Sequence, residues 1–315
     1  MYCVGIDLGG TAIKAGLADS LGEIKDFIEI PTGVEANSSE VVVANIKQCV
    51  SQLADRNRDL RINAIGIGVP GIALDNGKIT IFSNIRVFDE YPLADDIFSA
   101  FNIPTFVDND ANNAASGEFL FGVGKGRKHF ILVTLGTGIG AGVYINGEIY
   151  KGANGGAGEV GHMVIVPDGR LCGCGNNGCW ETYASASAMV KRANSMLGRG
   201  IKSRMREYYP DNINAKVVTD AARAGDELAL SIFNETAHYI GLGLANLINC
   251  FNPEMIVLGG GLSNAGSFLL EKVSLSARLN SAPPAWGAVT IQSASLGNKA
   301  GILGSAALAF IKSGI

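Results

Sequence analysis

Glycine gathers in five places along this chain: DLGGT (7–11), GIGVPG (66–71), LGTGIGAG (135–142), GANGGAGEVG (152–161) and LGGG (258–261). Four of the five follow or begin a short run of β-forming residues, namely YCVGI, AIGIGV, HFILVTL and MIVL. Glycine directly after a strand lets backbone N–H groups come close to a ligand, because no side chain stands between them. One such turn constrains little. A chain that closes strand after strand in this way points to an α/β architecture built to bind phosphate.

The first and third clusters sit in similar surroundings. VGIDLGGTAIKAGLAD and LVTLGTGIGAGVYINGEI each read as strand, glycine turn and strand, then a polar turn (Asp19–Gly22, Asn146–Gly147) into a third strand. Helices follow each copy. A unit written twice implies two similar α/β domains, each presenting a glycine turn to a shared cleft. Helical spacing predicts helices over 40–56, 111–121 and 226–250, the last carrying Leu228, Ile232, Ala237, Ile240, Leu244 and Leu247. A C-terminal helix over 301–313 has no room for a domain of its own and is expected to return to the first. The stretch GVGKGR (122–127) lies between a helix and a strand and marks the boundary. The expected domains are therefore 1–121 with 301–315, and 122–300.

At 315 residues the chain suits one large or two medium domains, and a net charge of −4 gives no basic excess for a nucleic-acid footprint. No run approaches the roughly 18 apolar residues of a membrane span. The opening MYCVGIDLGG, with an acid at Asp7, is no basic leader. A soluble, cytoplasmic protein without membrane or nucleic-acid partners is expected. Cys3, Cys49 and Cys250 stand alone in apolar or helical surroundings and read as small buried hydrophobes.

The other three cysteines stand together. In EVGHMVIVPDGRLCGCGNNGCWE, from Glu159 to Glu181, His162, Cys172, Cys174 and Cys179 form H-x9-C-x-C-x4-C. Three thiolates and an imidazole make a closed tetrahedral zinc set, which is the structural kind. A redox pair is the other reading of clustered thiols, although disulfides are disfavoured in a reducing cytoplasm. A zinc-ribbon module would use two separated Cys pairs, which this run lacks. Glu159 and Glu181 flank the ligands, and a closed site would fix both. A carboxylate accepts hydrogen bonds and donates none, which suits the hydroxyls of a sugar. Structural zinc binding in small peptides is worth about 10–16 kcal/mol, ample to rigidify such a loop. Trp180 reads as packing.

In VDNDANNAASGEF (107–119), Asp110 follows an apparent strand and stands at or just before a helix start. Such a residue can be an ordinary N-cap. It can also be the carboxylate that takes a hydroxyl proton in phosphoryl transfer, with Asn109 supplying hydrogen bonds beside it.

DLGGTAIKAG, VPG, NDAN, LGTGIGAG, the EVGH…CxCGxxGCxE run and FNPEMIVLGGG occur together and in order. Over essentially the whole chain this resembles the ROK family (repressors, open reading frames, kinases), and within it the bacterial glucokinases. The resemblance implies two ribonuclease-H-like domains of the actin-like, hexokinase-like ATPase type. The activity it implies is ATP-dependent phosphorylation of a hexose at the 6-hydroxyl, glucose first, with N-acetylmannosamine, fructose or allose as alternatives. Asp110 would be the base. Asn109, Glu159, His162 and Glu181 would bind the sugar, with Gly71 and Asn84 in its wall; Ser83-Asn84-Ile85 departs from the commoner Pro-Asn-Leu. Asp7 would sit near Mg²⁺, and Gly9, Gly10, Thr11 and Lys14 near the phosphates, although Lys14 can equally be a solvent-facing lysine on a strand. Thr137 and Gly138 would form the second phosphate turn, and Gly260 and Gly261 would approach the adenosine. A homodimer or dimer of dimers is implied, and polyphosphate is an alternative donor to ATP. ROK repressors carry a helix-turn-helix region before the DLGGT turn; with six residues ahead of Asp7, the kinase is the expected reading.

Overall fold

The computed structural model describes residues 1–74, 76–82 and 91–315. The chain begins with strands β1 (Tyr2–Leu8), β2 (Ala12–Asp19) and β3 (Ile24–Pro31), then helix α1 (Ser39–Arg56). Next come β4 (Ile62–Val69), β5 (Gly71–Ala73), β6 (Ile79–Phe82), α2 (Leu93–Phe101), β7 (Thr105–Asn109) and α3 (Asp110–Leu120). The plan then restarts with β8 (Phe130–Leu135), β9 (Ile139–Ile145) and β10 (Glu148–Ile149). Helices α4 (Glu181–Ala184), α5 (Ala186–Gly198), α6 (Ala215–Arg223) and α7 (Glu227–Phe251) precede β11 (Met255–Gly259). Helix α8 (Ser267–Asn280), α9 (Pro283–Trp286), β12 (Thr290–Ser293) and α10 (Ala300–Ser313) complete it.

Two five-stranded sheets follow one order, β3-β2-β1-β4-β7 and β10-β9-β8-β11-β12, and β5 pairs with β6. In the first, β1, β2 and β3 form an antiparallel meander while β4 and β7 add in parallel. In the second, β10 runs antiparallel to β9, and β11 lies parallel to both β8 and β12. A meander extended by parallel strands, with helices between, is the ribonuclease-H-like plan of actin-like ATPases, here present twice. The chain divides into two compact units: Met1–Arg127 with Gly142–Ala157 and Ser295–Ile315, and Lys128–Ala141 with Gly158–Ala294. Among the described residues no helix is long and apolar enough to cross a membrane.

The first unit shows how sequence sets packing. Alternate residues of a strand face opposite ways. Val4 and Ile6 join one core with Val42, Ile46, Val50 and Leu53 of α1. Cys3 joins another with Leu303, Ala306 and Phe310 of α10. Gly16, Gly5 and Gly66 lie in register across β2, β1 and β4. A Cβ on Gly5 or Gly66 would overlap the backbone of α10 at Ile302 or Ser305. This flat row admits the C-terminal helix at backbone distance. On α3, Gly117 meets Gly304 of α10 in the same close manner.

Candidate functional site

The candidates fall into a group in each unit. In the first, the β1–β2 turn is pinned at its base: the Gly9 N–H donates to the Ala12 carbonyl at 3.0 Å, and the Thr32 hydroxyl donates to the Gly9 carbonyl at 2.7 Å. Its tip is open, with Gly10 and Thr11 exposed and nothing within 4 Å of where a Gly10 Cβ would stand. Asp7 and Lys14 face each other across β1 and β2. Burial holds the Asp7 carboxyl above its ordinary value, against the opposing pull of Lys14. Gly301, in the first turn of α10, lies so close to that carboxyl that a Cβ there would overlap it. Asp7 therefore stands where the positive end of a helix dipole favours an anion.

β7 runs directly into α3, and Asn109, not Asp110, caps the helix. The Asn109 Oδ1 accepts from the N–H groups of Ala111 at 2.9 Å and Asn112 at 3.2 Å. Its Nδ2 donates to the Gly71 carbonyl at 3.1 Å. One amide hydrogen of Asn109 is thereby engaged, leaving the other for a ligand. Asp110 is the first helical residue and is exposed; its Oδ1 accepts from the Ala111 N–H at 2.8 Å. Gly71 thus meets Asn109 through its carbonyl. Asn84 lies outside the described residues.

In the second unit the β8–β9 turn is closed by the Gly136 N–H donating to the Gly138 carbonyl at 3.0 Å, and the Ala186 N–H donates to the Gly136 carbonyl at 2.9 Å. Thr137 is exposed at its tip. A Cβ on Gly138 would come within 2.6 Å of the Glu181 Oε2, so glycine is what lets this carboxylate lie against the turn. After β11, Gly260 takes a left-handed φ of 81° and passes the Leu135 backbone closely, while Gly261 faces open space.

His162, Cys172, Cys174 and Cys179 place one ligand atom each within 4.8 Å of one another. The Cys172 Sγ is 3.6 Å from the His162 Nδ1, and the Cys174 and Cys179 sulfurs are 3.6 Å apart. A tetrahedral dication bound by sulfur at about 2.3 Å and nitrogen at about 2.0 Å would space its ligands by about 3.5–3.8 Å. The donor set fits such an ion in number and chemistry, and two of its pairs stand at that spacing. Burial pushes the Cys172 thiol up to about 12, whereas the Asn176 N–H draws exposed Cys174 below its ordinary value. A coordinated dication outweighs such burial, since a coordinating thiol loses its proton outright.

Both flanking acids touch this cluster. The Glu181 Oε1 accepts from Cys172 at 3.1 Å, and the Glu159 Oε2 lies 3.8 Å from the His162 Nε2. His162 thus turns one ring nitrogen to the thiols and the other to Glu159. Around them, Trp180 is fully buried and donates to the Tyr239 carbonyl at 2.7 Å. The Arg170 guanidinium lies 4.3 Å over the Tyr183 ring and donates to the Thr182 carbonyl at 3.1 Å. Sequence reasoning singled out neither Arg170 nor the buried Asp108 beside Asn109. Asp108 leaves one sign: a charged residue inside the strand TFVDN, where burial requires a partner.

The sequence profile described as the ROK family matches residues 3–311. A glucokinase of Halalkalibacterium halodurans is 39% identical over 309 residues, spanning 96% of this chain and 93% of its own. The crystal structure of a ROK family glucokinase from Streptomyces griseus, in complex with glucose and AMPPNP, superimposes with a TM-score of 0.82 at 35% identity and covers 98% of this chain and 99% of that one. A xylose repressor of Bacillus spizizenii is 32% identical over 98% of this chain and 76% of its own length.

Proposed function

The chain belongs to the ROK family, and from that premise we propose that it is an ATP-dependent glucokinase, moving the γ-phosphoryl group of ATP to the 6-hydroxyl of glucose. The observation that carries the reading is Asp110: an exposed carboxylate on the first helical residue of α3, with Asn109 taking the capping role. With Asn109 accepting the first helical N–H groups, Asp110 is not needed as the N-cap. Phosphoryl transfer demands positioning, charge neutralisation and a base for the attacking hydroxyl.

Asp110 accepts the proton of the 6-hydroxyl as it attacks, a contribution of about 10²–10⁴-fold. The second amide hydrogen of Asn109 binds a neighbouring hydroxyl, with Gly71 fixing the amide plane. Glu159, Glu181 and the His162 Nε2 hold the remaining hydroxyls; Asn84 completes the wall. The turn at Gly9, Gly10 and Thr11, with Lys14, and that at Thr137 and Gly138 cradle the phosphates, while Gly260 and Gly261 leave room for adenosine. Mg²⁺ bound near Asp7 would neutralise phosphate charge, and the half-buried Asp7 carboxylate would gain a counter-ion beside Lys14. Structural Zn²⁺ held by His162, Cys172, Cys174 and Cys179 would fix the two flanking glutamates. Following the family, the enzyme works in the cytoplasm as a homodimer or dimer of dimers.

A coupled assay with glucose, N-acetylmannosamine, fructose and allose, with ATP or polyphosphate as donor, tests this. Glu159 can accept from two adjacent hydroxyls, and an N-acetyl group at C2 removes one and adds bulk. Losing such a partner costs about 1–3 kcal/mol, so glucose should exceed N-acetylmannosamine in kcat/KM by at least about tenfold. Equal or reversed values would remove the glucose assignment and leave the kinase. No turnover of any sugar would remove the kinase.

A further inference from the structure

We propose that Lys151 is a positioning residue for phosphoryl transfer, acting through the buried carboxylate of Asp108 on the turn that carries Asn109 and Asp110; this rests on the kinase reading above. The Lys151 Nζ lies 2.9 Å from the Asp108 Oδ2, with the two side chains 11% and 2% exposed. The other carboxylate oxygen serves the strand-to-helix turn: Oδ1 accepts from the Asn109 N–H at 2.7 Å and from the Asn112 Nδ2 at 3.0 Å. One oxygen is tied to the cation and one to the turn.

Three segments converge on this turn. Lys151 opens the glycine-rich stretch after β10, and its carbonyl accepts from the Ala157 N–H at 3.1 Å. Within that stretch Gly155 lies against β5, where a Cβ would stand 3.0 Å from the Ala73 carbonyl oxygen. β5 in turn supplies the Gly71 carbonyl that orients the Asn109 amide. The Asn109 N–H, Oδ1 and Nδ2 are each held by a different element. Asp110 follows in the chain, so the placement of its carboxylate depends on where Asn109 is fixed.

The chemistry requires a cation here. Taking a carboxylate as buried as that of Asp108 out of water costs free energy that a paired cation and filled lone pairs offset. Lysine supplies a compact charge on a flexible stem. Lys151 lines a cavity of about 310 Å³ together with Phe98, Thr105, Val107 and Leu308, none of them a candidate for sugar or nucleotide. Its role is therefore on the turn.

Steady-state kinetics with glucose and ATP on Lys151→Met, Lys151→Arg and the double variant Asp108→Asn/Lys151→Met test the proposal. A misplacement of about 1 Å costs up to about a hundredfold in rate, so Lys151→Met should lower kcat by about ten- to a hundredfold with the KM for ATP little changed. Lys151→Arg keeps the charge and should recover most of the loss. The double variant leaves no orphaned carboxylate, so its melting temperature should return towards wild type while kcat stays low. It also carries the test if Lys151→Met fails to fold. Wild-type kcat in the double variant, or a lowered melting temperature with unchanged kcat in Lys151→Met, would overturn the proposal while leaving the kinase reading intact. A wild-type protein inactive on every hexose would remove that reading, and the proposal with it.

Discussion

For Asp110 the sequence leaves two readings open, an ordinary helix N-cap or the base for a hydroxyl proton, with Asn109 beside it. Both residue types cap helices well, and both stand where strand gives way to helix. The structure separates them by one residue: β7 ends on Asn109, whose side chain accepts the first helical N–H groups, and Asp110 opens α3 exposed. Asp110→Asn should then lower kcat by about 10²–10⁴-fold, because an amide can hydrogen-bond but cannot take a proton. Glucose affinity by calorimetry should stay near wild type. A mutant with wild-type kcat would leave Asp110 with only its helix-start role, worth about 0.3–1 kcal/mol. The His/Cys cluster was legible for a different reason: few residue types can hold a metal, and three of six cysteines fall within eight positions. Asp108 and Lys151 were not legible as a pair. A lysine before a glycine loop looks the same whether it meets solvent or a buried acid far away in the chain.

Four helices were foreseen in the sequence and the others were not. The expected helices over 40–56, 111–121, 226–250 and 301–313 form as α1, α3, α7 and α10, each within a residue or two of those bounds. Helix α8 escaped notice because Leu275 and Leu279 are exposed, so its leucines do not share one face. Glycines inside helices were harder still, since sequence shows them only as weak formers. Gly243 in α7 is one. A Cβ there would overlap the ring of Trp180, which is fully buried and held by its bond to the Tyr239 carbonyl. Helix propensity alone makes Gly243→Ala stabilising by about 1 kcal/mol. Overpacking against an aromatic ring with nowhere to move costs about 1–3 kcal/mol or more. Packing should win, giving net destabilisation of up to about 2 kcal/mol in chemical denaturation. Because Trp180 lies between Cys179 and Glu181, glucose KM should rise as well. A stabilised variant would mean that the ring is free to shift.

At the scale of the whole chain, one strand plan occurs twice, and only its second copy carries the thiol-rich loop. The repeat was visible in sequence because each copy needs a glycine turn directly after its first strand. The return of Gly142–Ala157 to the first unit was not visible, because it is decided by packing along a continuous strand. The thiol-rich loop has little regular structure of its own. Isolated bridges from Val164 to Cys179 and from Leu171 to Asn177 hold it, with a short helical turn over Val160–His162. A segment so poor in ladders would depend on a metal bound by its His/Cys cluster more than any sheet does. The strands of the first sheet instead rest on α1, α2 and α10 through cores that contain no metal ligand. Stripping the metal with a strong chelator should therefore act unevenly. Amide hydrogen exchange should quicken across 159–181, while β1, β2 and β4 keep their protection. Glu159 and Glu181 would lose their fixed places with the loop, and glucose KM should rise by about 10–100-fold, the range seen when the support of a metal site is lost. Cys174→Ser should reproduce both effects without chelator. Native protection in 159–181, with unchanged glucose affinity in a protein shown by elemental analysis to be metal-free, would mean that the loop folds by itself and that the ion does not shape the sugar site.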